Sequence, residues 1–206
     1  MTIAPCLIGI GGPSGSGKST LARYLAERLP DSALVLPIDA YYRDRGDLPR
    51  QARLGLNFDH PDAVDHELLL SHLLRLAAGE AVDRPVYRFA SHTRAPQAER
   101  VGPAAFVLAE GLLALHWASV RRLWRLAVFV ELPDGLCLER RLARDAAERG
   151  RSIASVLEQY AETVRPMRER YVMPTRAFAD LVVSGIDPLE ASARRILDRV
   201  FPCRPQ

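Results

Sequence analysis

The octapeptide Gly12-Pro13-Ser14-Gly15-Ser16-Gly17-Lys18-Ser19 constrains this chain more than any other stretch. It fits the phosphate-binding pattern G-x-x-x-x-G-K-[ST]. Before it, Cys6 to Ile10 is short, apolar and reads as a buried strand. After it, Leu21, Tyr24, Leu25 and Leu29 recur at helical spacing. A glycine-rich turn between strand and helix leaves several backbone N–H groups pointing into one hollow. Together with the positive end of the helix, they attract an anion. Lys18 is then expected to reach the terminal phosphates of a nucleotide, and the Ser19 hydroxyl to ligate magnesium. Lys18 is also the single lysine among 28 Lys+Arg residues. An ammonium is a compact point charge that fits under a phosphate chain, where a wide planar guanidinium does not. The competing reading is a surface lysine in a flexible Gly/Ser turn.

A chain of 206 residues suits one α/β domain, 1–206, with room for a small lid. Its 48% hydrophobic and 26% charged content is that of a soluble globular protein. No run of about 18 apolar residues occurs, so no membrane partner is expected, and the first residues do not read as a secretory leader. Cys6, Cys137 and Cys203 lie far apart, odd in number and without metal-ligand spacing. A reducing cytoplasm is the expected setting. The net charge of +3 is mild and the arginines are spread along the chain. That suits an anionic small molecule better than a nucleic-acid backbone.

Apolar strands are expected at 6–11, 33–38, 105–109, 126–131 and 180–184. Helices are expected at 18–29, 65–78, 116–123, 134–147, 153–169 and 188–200, with a long polar connection over 40–64 and an extended segment over 84–94. Strands alternating with helices predict a parallel sheet covered on both faces, with ligands at the carboxyl ends of the strands.

Several polar residues stand at those ends. Asp39 follows the second strand, where a carboxylate can take a proton from a hydroxyl, hold magnesium through water, or merely cap a turn. Glu110 follows the third and is expected to reach magnesium through water. In Asn57 to Asp65, the spacing makes Asp65 the N-cap of a helix whose apolar face is Leu69, Leu70, Leu73, Leu76 and Ala77. Asp62 is assigned to structure and Asp59 is left free to bind a group such as a vicinal diol. A metal cluster of Asp59, His60 and Asp62 is a weaker option. Tyr87 and Phe89 alternate on an extended segment that also holds His92. They either line a slot for a flat heterocycle or form a core edge strand with a surface histidine. Over 140–151, Arg141 and Arg144 share a helical face, with Arg149 and Arg151 beyond. This is either a solvated helix carrying an Asp145–Arg149 pair or a lid that closes on a phosphoryl group.

Taken together, GGPSGSGKST, DAYY, NFDHPDAVD, RPVYRFASHTR, AEGLL, RRLARDAAERGRS, EQYAETVRPM and FADLVV resemble the uridine kinase (uridine–cytidine kinase) family. This family belongs to the uridine kinase and phosphoribulokinase group of P-loop kinases. The pieces occur in family order from Ile8 to Val183. The resemblance implies a five-stranded parallel P-loop kinase fold with a small arginine-rich lid at about 141–152 and an acceptor-binding insertion at about 40–94. It implies magnesium-dependent transfer of phosphate from ATP or GTP to the 5′-hydroxyl of uridine or cytidine, and a tendency towards homo-oligomers.

On the same ground Asp39 becomes the base, and Gly12 to Ser19 with Thr20 bind the donor. Asp59 and Arg141 hold the ribose hydroxyls. Tyr87 and His92 meet the pyrimidine edge, with Phe58 and Phe89 beside the ring. Arg151 and Gln159 are further nucleoside positions, and Arg144 and Arg149 belong to the lid. Neutral histidine can donate to O4 of uracil or accept from the N4 amine of cytosine, so His92 can admit both bases.

The chain departs from the family in a few places. Where the family often reads Pro-Arg-Gly after its last strand, this chain has Val183-Ser184-Gly185-Ile186-Asp187, with Asp187 left to keep a donor contact. Ala40 stands where a small hydroxylated residue is common, and Pro13 stiffens the loop's entry. The rival readings are a related kinase for another sugar or vitamin alcohol, or a nucleotide-hydrolysing switch. A switch needs no acceptor pocket, and a sugar-phosphate kinase should carry cations in place of the aromatic slot.

Overall fold

The computed structural model describes residues 4–201, without the side chains of Leu54, Glu148 and Arg149. In chain order the first elements are β1 (Cys6–Gly11), α1 (Lys18–Ala26), β2 (Ala33–Pro37), α2 (Arg50–Leu54) and α3 (His66–Ala77). Four short strands follow: β3 (Val82–Arg84), β4 (Tyr87–Arg88), β5 (Thr93–Arg94) and β6 (Glu99–Val101). Then come β7 (Phe106–Glu110), α4 (Ala118–Arg121), β8 (Leu126–Glu131) and α5 (Asp134–Arg149). The chain closes with α6 (Ile153–Gln159), α7 (Arg165–Met167), β9 (Leu181–Ser184) and α8 (Leu189–Val200).

The main sheet has five strands in the order β2-β7-β1-β8-β9, and every neighbouring pair is parallel. Each of its strands falls within a residue or so of where apolar runs predicted it. Both faces are covered, because successive side chains of a strand point to opposite sides. Leu7, Val107, Ala109, Ala127 and Phe129 face one core, shared with Leu69, Leu73 and Leu76 of α3. Ile8, Ile10, Leu108, Val128 and Val130 face the other, shared with Leu21, Ala22 and Leu25 of α1 and with Ala193 and Ile196 of α8. At 25 cal/mol per Å², burying one such Leu or Ile side chain contributes about 1.5–3 kcal/mol.

Asp65 caps α3 as its spacing predicted, accepting from the Leu68 amide at 3.3 Å. On that helix His72 is buried as well, 3.1 Å from the Tyr41 hydroxyl. Two expectations need correction. The segment 84–94 is not one extended run: β4 and β5 pair antiparallel, so the chain folds back within it. The turn passes through His92, whose φ of 54° is left-handed. That conformation is costly for a residue with a Cβ and marks sites where the surroundings hold it. The expected helix 153–169 keeps a helical path to Phe178 but changes winding. Tyr160–Val164 and Arg168–Val172 are π-turns on either side of α7, and Met173–Phe178 is 3-10. Pro166 within α7 has no N–H to give the preceding turn, and π-turns re-satisfy the ladder around such a break.

Candidate active site

The glycine-rich loop follows β1 at the carboxyl edge of the sheet. Gly12 has φ 144° and Gly15 has φ 82°. A Cβ on Gly12 would stand 2.4 Å from the Val130 carbonyl oxygen, and one on Gly15 2.7 Å from that of Cys137. Neither position tolerates a side chain, so the loop lies directly against β8 and the first turn of α5. The Ser16 amide donates to the Pro13 carbonyl at 3.1 Å, and Lys18 Nζ donates to the same oxygen at 3.2 Å. Lys18 therefore folds back over the hollow of its own loop. Ser16 is buried and Thr20 is exposed on the first turn of α1. Gly17 is the left-handed N-cap of α1.

This loop opens into a cavity of about 720 Å³, lined at its phosphate end by Ser14, Lys18, Ser19, Asp39 and Glu110. Asp39 sits in a 3-10 turn (Ile38–Tyr41) that ends β2. Burial pushes the Glu110 carboxyl up; Lys18 opposes that shift, Asp39 adds to it, and the Ser19 hydroxyl donates to the carboxylate. Two carboxylates close enough to repel one another at one end of a cavity favour a cation there. The predicted magnesium set Ser19, Asp39 and Glu110 thus meets at one place. Among the described residues no three His, Cys, Asp or Glu side chains gather into a metal cage. The Asp59–His60–Asp62 option is thereby corrected: His60 Nδ1 instead accepts from the Asp62 amide, and its Nε2 pairs with the Tyr171 hydroxyl. Magnesium commonly uses only one or two carboxylates and completes its shell with water and substrate phosphates.

The other end of the cavity is aromatic. Phe58 and His92 stack with centroids 4.7 Å apart and planes at 16°. Tyr87 stands edge-on to Tyr42 at 5.2 Å and to Phe89 at 5.3 Å. Tyr87 is buried while Phe89 is 44% exposed at the rim. Burial, with Asp44 adding to it, pushes the Tyr87 hydroxyl up to about 12. Asp59 lies between the two ends and is itself buried. Burial raises its carboxyl, Asp39 adds to the rise, and Arg141, Lys18 and Arg144 oppose it. A buried carboxylate facing these cations suits a group meant to receive hydroxyls from a ligand.

The third wall is cationic. Arg141, Arg144 and Arg151 line the cavity with Gln159. Arg141 is only 6% exposed and donates to Ser14 Oγ at 3.3 Å and to Gln159 Oε1 at 3.1 Å. Arg151 donates to Gln159 Oε1 and to Ser155. Behind them stands Asp145, fully buried. Its Oδ1 accepts from Arg144 at 3.0 and 2.8 Å, and its Oδ2 lies 3.7 Å from Arg141 and 3.5 Å from Arg151. Of the two readings of this helix, the solvated one does not hold for the face that carries Arg141 and Asp145, both buried, and a buried carboxylate is stable only when paired. Asp145, which spacing alone paired with Arg149, is the carboxylate on which Arg141, Arg144 and Arg151 converge. The available signal was one carboxylate placed among Arg141, Arg144 and Arg151. Tyr42, Leu112 and Ser155 also line the cavity without having been predicted.

Asp187 does not line this cavity. Asp187 lies on the exposed turn after β9, where its amide donates to the Ser184 carbonyl at 3.2 Å. Arg140 ties that turn to the phosphate loop, donating to the carbonyls of Gly185 and Gly15. The side chain of Arg149 lies outside the described residues.

Comparison with known proteins agrees with this architecture. At 17% identity, the phosphoribulokinase of Rhodobacter sphaeroides superposes with a TM-score of 0.63 over 90% of this chain and 74% of its own. D-glycerate 3-kinase from Cryptococcus neoformans does so at 0.58 and 17% identity, over 82% of this chain and 79% of its own. Both likenesses bear on fold alone. In sequence, a uridine kinase of Tolumonas auensis is 44% identical over 203 residues, covering 93% of this chain and 95% of its own. A uridine kinase of Leuconostoc citreum is 41% identical over 207 residues, covering 96% and 99%. The model of the phosphoribulokinase / uridine kinase family matches residues 7–189. With the phosphate loop, the parallel sheet and these matches each spanning most of the chain, the protein belongs to the phosphoribulokinase / uridine kinase family.

Proposed function

We propose that the chain transfers the γ-phosphoryl group of ATP or GTP to the 5′-hydroxyl of uridine or cytidine, giving the monophosphate in pyrimidine salvage. The observation that carries this reading is the stacked Phe58–His92 pair, which opens into the same cavity as Lys18 and Ser19, with buried Asp59 between them. A flat heterocycle, a diol and a phosphate chain would find matching groups in that order. Relatives named uridine kinase support the same substrate class. A reducing cytoplasm accords with the widely spaced cysteines, and assembly into a homo-oligomer is proposed from the family's habit. The region 40–94 acts in this reading as the acceptor-binding part and 141–152 as the lid.

Each group then has a task. Tyr87 and His92 hold the pyrimidine edge, Phe58 and Phe89 flank the ring, and Asp59 with Arg141 receives the ribose hydroxyls. Arg151 and Gln159 close the nucleoside end. Asp39 accepts the proton of the 5′-hydroxyl as it attacks, and Lys18 with the loop amides of Gly12 to Ser19 holds the donor phosphates. Magnesium, when bound, neutralises charge on the β- and γ-phosphate oxygens. Ser19 would hold it directly, with Asp39 and Glu110 acting through water. Arg144 neutralises charge that spreads over the equatorial oxygens of the transferring group.

Base recognition and proton transfer should separate on mutation. His92→Ala is expected to raise the KM for uridine and cytidine about ten- to hundredfold, the cost of about 1–3 kcal/mol for an unmatched buried hydrogen-bonding group. Asp39→Asn should leave nucleoside binding by calorimetry near normal and lower kcat by roughly 10²–10⁴. Steady-state series with both pyrimidines test the pair. An unchanged KM in His92→Ala contradicts the base-reading role. Wild-type turnover in Asp39→Asn reduces that residue to a turn cap.

A further inference from the structure

We propose that His60 and Tyr171 are positioning residues for the acceptor nucleoside, acting as a strap that fixes the Asp59 loop from outside the cavity. The inference rests on the reading of Asp59 as the carboxylate that receives the ribose hydroxyls.

His60 follows Asp59 directly but does not line the cavity, and both of its ring nitrogens are engaged elsewhere. Its Nδ1 accepts from the Asp62 amide at 3.2 Å, which leaves the ring proton on Nε2. Nε2 then donates to the Tyr171 hydroxyl oxygen at 3.0 Å, across 111 residues of chain. The two rings meet edge to face at 4.9 Å and 80°. Other bonds of the loop are local or reach the turn after β2: the Asp59 amide donates to Asn57 Oδ1 at 3.1 Å and the Ala63 amide to the His60 carbonyl at 3.0 Å, while the Arg43 amide donates to the Ala63 carbonyl at 2.8 Å and Arg43 Nε to the Asp62 carbonyl at 3.2 Å. The contacts with Tyr41–Arg43 fix the loop against the turn after β2, and the bond to Tyr171 ties it to the helical segment that also carries Gln159.

Tyr171 is itself held. Its ring stands edge-on to His116 at 5.6 Å, and the His116 ring hydrogen-bonds its backbone. His116 packs on Trp117, which stacks on His66 with centroids 5.5 Å apart and planes at 6°. His60 and His66 bracket the end of the acceptor loop and the start of α3, so both ends of that stretch lean on one brace.

The helical path carrying Tyr171 also carries Gln159, which faces the cavity twelve residues earlier. A uniform α-helix would turn those two positions about 120° apart at 3.6 residues per turn. The π-turns at Tyr160–Val164 and Arg168–Val172 lie between and around them and change that phase. One segment thus contacts the nucleoside end at Gln159 and the acceptor loop at Tyr171. The brace sets where Asp59 stands relative to the arginine wall.

The test is steady-state kinetics of Tyr171→Phe, Asp59→Ala and the double variant, with uridine and ATP varied separately. Tyr171→Phe keeps the ring and its packing and removes only the hydroxyl. Its uridine KM should rise about three- to tenfold, the range of one net hydrogen bond, with kcat and the KM for ATP within about twofold of wild type. In the double variant the KM should not exceed that of Asp59→Ala, because both changes act on one carboxylate. If Asp59→Ala raises the uridine KM and Tyr171→Phe does not, the strap is wrong while the reading of Asp59 stands. An unchanged KM in Asp59→Ala overturns that reading and the strap with it. Additive effects, or a parallel loss of uridine affinity, ATP affinity and melting temperature, would make the brace purely structural and also overturn the proposal.

Discussion

Lys18→Ala is expected to abolish phosphoryl transfer while leaving the fold as stable as before. The lysine is half-buried, and in the free protein its ammonium donates to the Pro13 carbonyl rather than to a core group. Removing it deletes a charge aimed at the donor phosphates and costs one partly exposed hydrogen bond, about 0.5–1.5 kcal/mol at most. Lys18→Arg should be almost as inactive. The hollow is bounded by backbone, with Gly12 and Gly15 lying against carbonyls of β8 and α5, so it cannot widen for a planar guanidinium. Uridine-dependent consumption of ATP and thermal melting are the two measurements. Near-normal turnover in either variant would remove the phosphate loop from the mechanism.

Arg144→Ala is expected to lower kcat by about 10³ or more with the uridine KM within a few-fold of wild type. A single arginine placed on a transferring phosphoryl group can contribute on the order of 10³–10⁵ in rate, because negative charge spreads over its equatorial oxygens. In this protein the guanidinium is oriented in advance, its Nε and one Nη both bonded to Asp145 Oδ1. The variant should still fold, since Asp145 keeps Arg141 and Arg151 as partners. A rise in the nucleoside KM without loss of kcat would make Arg144 a binding group and move the lid assignment elsewhere.

Asp145 also marks the limit of what the sequence could say. The five central strands were legible because a strand buried on both faces must be a short apolar run, whatever packs on it. The phosphate loop was legible because its glycines and Lys18 answer to backbone geometry. Residues from distant segments, such as Asp39, Asp59, His92 and Arg141, were joined by the family resemblance, and the cavity brings them together. Spacing alone put Arg141 and Arg144 on one face of a helix but could not tell whether that face met solvent. The outcome depended on what lay opposite: Ser14, Gln159 and a carboxylate with no access to water. The same holds for His60 and Tyr171, whose bond spans most of the chain. Pro166 stood in plain view inside a predicted helix. The sequence announced a break there, yet the π-turns that absorb it depend on tertiary contacts such as Tyr160 with Asp134 at 2.5 Å.

The central claim is that one cavity joins a phosphate loop to a slot built for a pyrimidine nucleoside. An acceptor panel tests it most directly: uridine, cytidine, 5′-deoxyuridine, a pentose phosphate and a vitamin alcohol, each with ATP and magnesium, the products identified by mass and by phosphorus NMR. Uridine and cytidine should give 5′-monophosphates, and 5′-deoxyuridine, which presents no 5′-hydroxyl, should give none. Phosphorylation of the sugar phosphate or the vitamin alcohol in preference to both pyrimidines, or ATP hydrolysis at one rate whatever acceptor is present, would contradict it.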